Sequence, residues 1–407
     1  LADAMERAWL SHPTLKNMGA GTVDCIVHST GALVVREWMR RCRQDACPIK
    51  HLVMLAPANF GSPLAHHGRS VVGRARNGYR TLRRGKADRL FETGTRILYG
   101  LELASEYTTE LALHDLFGTR GKRFGPGGVL CSVIVGNEGN LGPLGMLEFD
   151  GSDGTVRTNT ASLRCRKLEA RFKYADAPGL TAAQKQARQN IEPKWTNSSA
   201  KTAFLLADGL DHGDVTLKNR RRDSVGKRAQ DAVLGAIVEA LSVTDANFDA
   251  FIKDWDSRTE SVQDALDAEQ DRAASDGNPF TLTDDEKHAH HNFVLTLSDS
   301  HGEAVEDYVL EFYNKAEINR RGGVGQDAIT RQLNRRVIDD VHEQRLAASR
   351  RCFHLDVFAF DRIAKDNPDA QLSISISARP SLGRDSKERA GYYTFEDEDI
   401  GAIRMRL

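Results

Sequence analysis

The sequence predicts an α/β fold: a largely parallel sheet with helices on both faces, a helical insertion, and a second, β-rich, sandwich-like domain after it. Three observations carry this expectation. Continuous apolar runs of strand length at 21–27, 51–56, 129–136 and 202–207 alternate with helical segments, as buried parallel strands do. The roughly 70 residues between the second and third runs lack strand patterning, which marks an insertion. Beyond residue 291, apolar and polar residues alternate as in half-buried antiparallel strands.

The elements follow in order. A helix-like stretch from Ala2 to Trp9 opens the chain, whose first residue is Leu1 and not Met, so the chain reads as a fragment or a processed product. The first strand, 21–27, passes through a turn into a helix over 32–39. Pro57 ends the second strand, and the loop 58–63 leads into a helical cap at about 62–128. Within the cap, residues 69–96 hold nine basic and two acidic residues, either a solvated face or one that meets an anionic ligand such as a phospholipid surface. After the third and fourth strands, a helix over about 223–241 closes a first domain, 1–242. Residues 243–290 are rich in Asp and Glu and read as an acidic, helical linker. An accessory domain, 291–407, then shows strands at 292–297, 305–313, 353–360 and 371–377. This domain offers a surface for a protein partner.

Composition excludes several classes. Fifty-six basic against 57 acidic residues leave a net charge of −1, which argues against nucleic acid as a partner. No run reaches the ~18 apolar residues of a membrane span, and no basic start with an apolar core forms a signal peptide. A cytoplasmic location or export by a non-classical route is expected. The six cysteines include no C-x-x-C pair and read as reduced thiols.

Chemistry is concentrated at the strand–turn–helix junction Val27-His28-Ser29-Thr30-Gly31. A serine on such a tight turn presents its hydroxyl above the sheet, while the Thr30 N–H and the helix N-terminus face a developing oxyanion. A serine hydroxyl needs a base, and the base needs an orienting acid. Asp153, in Gly151-Ser152-Asp153-Gly154-Thr155-Val156 after the third strand, and His212, in Asp211-His212-Gly213 after the fourth, stand where open α/β sheets place their sites. Asp150, Asp208 and Asp214 are alternative acids. His28, beside the serine, is expected to pack or to bond backbone and not to act as base.

These stretches, with 55–62 (Leu-Ala-Pro-Ala-Asn-Phe-Gly-Ser), resemble the lipase and esterase branch of the α/β-hydrolases over about residues 5–242. The resemblance implies carboxylic ester hydrolysis on lipids, by a lipase or phospholipase, through an acyl-serine with Ser29, His212 and Asp153 as triad and no cofactor. It makes the loop with Pro57, Phe60 and Gly61 the approach to a lid. An acyltransferase using the same triad, or a non-enzymatic interaction protein on this fold, are the alternatives. A lipase without a signal peptide and with an accessory domain is similar to effectors that bacteria deliver by contractile secretion. Two departures stand out: Val27 replaces the usual small residue, and nothing before Ser29 has the form of the family's first strand and oxyanion loop.

Two further stretches carry weaker signals. His288-Ala289-His290-His291 has imidazoles at i and i+2 but no third ligand at zinc spacing, and reads as a polar linker with no metal. Gly322-Gly323-Val324-Gly325 lacks the Lys-Ser/Thr of a phosphate loop. The aromatics of the accessory domain read as core.

Overall fold

Four strands form one parallel sheet, β1 (Val23–His28), β2 (Ile49–Leu55), β3 (Leu130–Gly136) and β6 (Thr202–Ala207), in the order β1-β2-β3-β6. The computed structural model describes residues 1–43, 46–67, 97–118, 123–139, 150–173, 190–275, 287–299, 302–314, 328–370, 372–378 and 389–394. The four apolar runs of the sequence are these four strands, with ends shifted by up to two residues. The continuous hydrophobicity of β3 and β6 has a simple cause, since each face of the sheet packs there on its own core, whereas β1 leaves Asp24 and Ile26 exposed. Leu52, Met54, Cys131, Val133, Val135, Phe204 and Leu206 face α1 (Ala2–Ser11) and α2 (Gly31–Cys42), where Trp9 and Trp38 meet at 5.2 Å. Val53, Leu55, Ile134, Ala203 and Leu205 face the opposite core with Val233, Ala236, Ile237 and Ala240. Of the cap, the described parts are α3 (Pro63–His67), a turn of helix from 97, and α4 (Glu106–Asp115); the basic segment lies outside the described residues.

The helix predicted at 223–241 is α6 (Ser224–Ser242), which follows the short α5 (Thr158–Ala161) and is capped by Asp223 accepting from the Gly226 N–H. The acidic stretch read as a linker is corrected by α7 (Phe248–Ser275), which closes the sheet at β6. Thr259 donates to the Phe204 carbonyl and accepts from the Leu206 N–H, and Arg164 donates twice to the Thr202 carbonyl. These bonds occupy the Thr202 and Phe204 carbonyls and the Leu206 N–H on the outer edge of β6, which blunts that edge against further pairing. Acidic residues on the outer face of α7 hid one buried stripe, Phe248, Trp255 and Thr259.

The described residues divide into two units, 1–165 with 198–288 and 166–197 with 289–406. This differs from the boundary read at 242. The second unit includes the antiparallel hairpin β4 (Arg166–Lys173) and β5 (Asn190–Asn197), which the sequence reading had placed in the first domain. Its other strands form two antiparallel sheets, β7-β10-β9 and β12-β11-β8. These are β7 (His290–Thr296), β8 (Tyr308–Asn314), β9 (Ile338–Glu343), β10 (Arg350–Asp356), β11 (Leu372–Ala378) and β12 (Arg389–Thr394). One core draws on both sheets, with Phe353, Leu355, Tyr308, Leu310, Phe312 and Ile376, and the aromatics are packed as expected. The strand predicted over 353–360 is half helix. It ends at Asp356, whose side chain accepts from the Ala359 N–H and starts α9 (Val357–Asp366), which follows α8 (Ala328–Gln332). The stretch 288–291 is no linker either, since His290 and His291 begin β7. No helix among the described residues is long and apolar enough to cross a membrane.

Candidate active site

The serine sits where the chain leaves β1 for α2. Ser29 has φ +54°, a left-handed conformation that costs a non-glycine residue roughly 1–2 kcal/mol. Its N–H donates to the Leu55 carbonyl at 2.9 Å, which ties the turn to the end of β2, and its carbonyl accepts from Ala32. Thr30 is the residue before the first turn of α2, and its N–H therefore belongs to the helix N-terminus. A side chain at Gly31 would bring a Cβ to 3.3 Å of the Val27 Cβ. Valine at the first motif position is accommodated because Gly31 has no side chain to meet it.

Asp153 is fully buried in the turn after β3. One carboxylate oxygen accepts from the N–H groups of Thr155 and Val156 at 3.0 and 2.8 Å; the other lies 2.9 Å from His212 Nδ1. A carboxylate can only accept, so Nδ1 carries the proton and Nε2 keeps its lone pair. The loop is tied a second time, by the His212 N–H donating to the Asp153 carbonyl at 2.9 Å. Of the alternative acids, Asp208 bonds Asn137 and Asp214 is paired with Arg221.

His28 joins this pair to the serine turn. Its Nε2 donates to the His212 carbonyl at 2.9 Å and its ring centre lies 4.6 Å from that of His212. Burial, and then the neighbouring His212, hold the His28 imidazole below its usual range, so it is neutral at pH 7 and fit to donate. The expectation that His28 bonds backbone thus acquires a specific partner. His212 is held at its N–H, its carbonyl and its ring, by Asp153 twice and by the neighbour of Ser29 once.

The loop after β2 is built into the fold. Ala56 has φ +43° and donates to the Ile134 carbonyl; Pro57, Ala58 and Asn59 are buried. Phe60 is half-buried on the core, its N–H bonded to the Thr160 carbonyl. Gly61 has φ +97°, and a Cβ there would lie 2.8 and 2.9 Å from the carbonyl oxygens of Glu102 and Leu101, so only glycine fits.

One network escaped sequence reading. Arg36 on α2, wholly buried, donates two hydrogen bonds to the Asp115 carboxylate of α4, at 2.8 and 2.9 Å, and reaches the Asn59 carbonyl and side chain at 3.2 Å. Asn59 in turn donates to the Ala161 carbonyl. An arginine within the apolar run 32–39 was the available signal, because a buried charge needs a buried partner.

No protein-family model matches the chain, and no curated protein matches it. Among solved structures it is similar to phospholipase PlaB from Legionella pneumophila, with a TM-score of 0.66 and 19% identity over 95% of this chain and 75% of that one. The same protein in complex with thio-NAD gives 0.65 and 19%, over 93% and 73%. A parallel sheet that carries a serine elbow, together with this likeness, establishes that the chain has the α/β-hydrolase fold of lipases and esterases.

Proposed function

We propose that this protein hydrolyses carboxylic esters of lipids, with phospholipids as the substrate class, through an acyl-enzyme on Ser29. The observation that carries the reading is the buried Asp153 bonded to His212 Nδ1 beside a serine held at positive φ. The likeness to a phospholipase supports the substrate class. In this mechanism His212 Nε2 takes the Ser29 proton as the hydroxyl oxygen attacks the ester carbonyl, and Asp153 stabilises the imidazolium that forms. The Thr30 N–H and the start of α2 stabilise the oxyanion. His212 then protonates the leaving alcohol, and water, deprotonated by the same nitrogen, cleaves the acyl-serine. Pro57, Phe60 and Gly61 act by holding the loop that leads into the cap, not by touching substrate. The basic residues between 69 and 96 attract the chain to anionic lipid surfaces, and the second unit offers a protein-binding surface.

The test combines labelling by a fluorophosphonate with release of fatty acid from phosphatidylcholine vesicles. Stoichiometric labelling of the chain, its loss in Ser29→Ala, and a fall in turnover on the order of 10³–10⁴-fold in Asp153→Asn are expected. An unlabelled chain, or turnover unchanged in Ser29→Ala, overturns the reading. Ester formation with an added alcohol would assign transfer to the same residues instead of hydrolysis.

A further inference from the structure

We propose that the second unit binds a divalent transition-metal ion of the zinc class through His290, Asp339 and His354. The three side chains come from three neighbouring strands, β7, β9 and β10, and offer donor atoms that all lie within 4.8 Å of one another. No other pairing of sequence motifs suggested the set, because its members lie 49 and 15 residues apart along the chain and only the sheet assembles them.

Four features argue for an ion. The first is the face: Phe293, Phe353 and Leu355 of these strands enter the core, so the period of two puts His290, Asn292 and His354 on the opposite side. Yet His290 is 3% exposed and His354 0%, burial that suits a neutral imidazole presenting a lone pair. The second is the support of His354, whose Nδ1 lies 2.6 Å from Asn292 Oδ1. Donation to that carbonyl oxygen fixes the tautomer and leaves the lone pair on Nε2, the nitrogen that faces Asp339, the arrangement that metal-ligating histidines require from their outer partners. The third is aim. His354 Nε2 lies 3.8 Å from Asp339 Oδ2, and Asp339 stands where the register of β9 against β10 slips, between Ile338 opposite Leu355 and Asp340 opposite His354. A bulge re-aims a side chain in this way. The fourth is chemistry: two imidazoles and one carboxylate suit zinc and its neighbours, and a three-residue set leaves a position for water. Asp339 is exposed, which provides an entry route.

The rings of His290 and His354 stack at 4.6 Å and 3°. His354 is tethered by Asn292, so sharing one ion would require the ring of His290 to rotate out of the stack. Asp356, opposite His290 in the register, is a carboxylate that can bond the imidazole N–H left over.

The experiment is a titration of the full chain, stripped by a chelator and dialysed, with Zn²⁺ against a chromogenic zinc indicator. Wild type is expected to take up one ion that Asp339→Asn and His354→Ala do not bind, and Asn292→Ala is expected to bind about 10–100-fold more weakly. Asp339 is exposed, so Asp339→Asn keeps the fold even where His354→Ala does not, and circular dichroism checks both. His12→Ala, an exposed histidine of the first unit, should leave the titration unchanged. Absence of a bound ion in wild type, or equal uptake in wild type and Asp339→Asn, overturns the assignment. The readout is binding alone, so it stands apart from any result on ester turnover.

Discussion

Ser29 stores backbone strain that the proposed reaction would use and that stability does not need. In Ser29→Gly the positive φ is unstrained, so the chain should unfold at a higher temperature, by about 1 kcal/mol of stability, while losing fluorophosphonate labelling. Thermal unfolding beside labelling checks both halves. His28 makes a separate prediction from pH. Its folded-state pKa lies below the usual 6.5, so between those values the unfolded chain binds the proton and the folded chain does not. Stability therefore falls as pH drops through 6.5 toward the lowered pKa, and levels below it. His28→Gln can still donate to the His212 carbonyl but cannot titrate, and should show a shallower acid decline in urea midpoints as pH falls below 6.5. A decline persists in the variant because the buried His291, also lowered by burial, acts with the same sign. An identical slope in both proteins would show that His28 does not carry this effect.

At the scale of elements, α2, α4 and the loop after β2 meet on Arg36. Its guanidinium links the helix that starts at the serine to the cap helix through Asp115 and to the loop through Asn59. Arg36→Met leaves Asp115 buried and without its cation, so chemical denaturation should report a loss of about 3–5 kcal/mol. Arg36→Met combined with Asp115→Leu removes both charges and should recover most of that loss, the signature of a pair whose cost lies in breaking it. An additive double variant would mean that the two residues act independently. The long helix α7 works similarly at the other edge, where Thr259 stands in for a neighbouring strand on β6.

For the whole molecule, the second unit is assembled from two separated pieces of chain, 166–197 and 289–406. Ending the chain at His288 therefore removes most of that unit and leaves the hairpin β4–β5 behind. Such a truncation should aggregate on size-exclusion chromatography. Arg166 pairs with Asn197, so residues 165 and 198 are about one strand spacing apart, roughly 5 Å. A second truncation in which a short glycine linker joins 165 to 198 should elute as a discrete species. Aggregation of both truncated chains alike would show that the hairpin is not the cause.

Apolar runs made β3 and β6 plain from sequence alone, because a strand buried on both faces has no polar positions to confuse its reading, while β1 and β2 kept enough apolar residues to be read despite Asp24, Lys50 and His51. The order Ser29, Asp153, His212 was legible for a related reason: each follows a strand, and parallel strands bring their carboxyl ends to one side of a sheet. Tertiary structure decided what depends on partners distant in the chain. Asp153 and His212 are 59 residues apart, and only the fold turns one ring nitrogen onto one carboxylate. The acidic helix at 248–275 concealed its buried stripe under a charged outer face, β9 was hidden by its Asp, His and Glu side chains, and Asp356 turned the end of a predicted strand into a helix. His290 was read as linker because its neighbours in sequence hold no third ligand; neighbours across the sheet do. Local periodicity records which face of a segment is dry, and it carries no record of which distant side chain will meet it there.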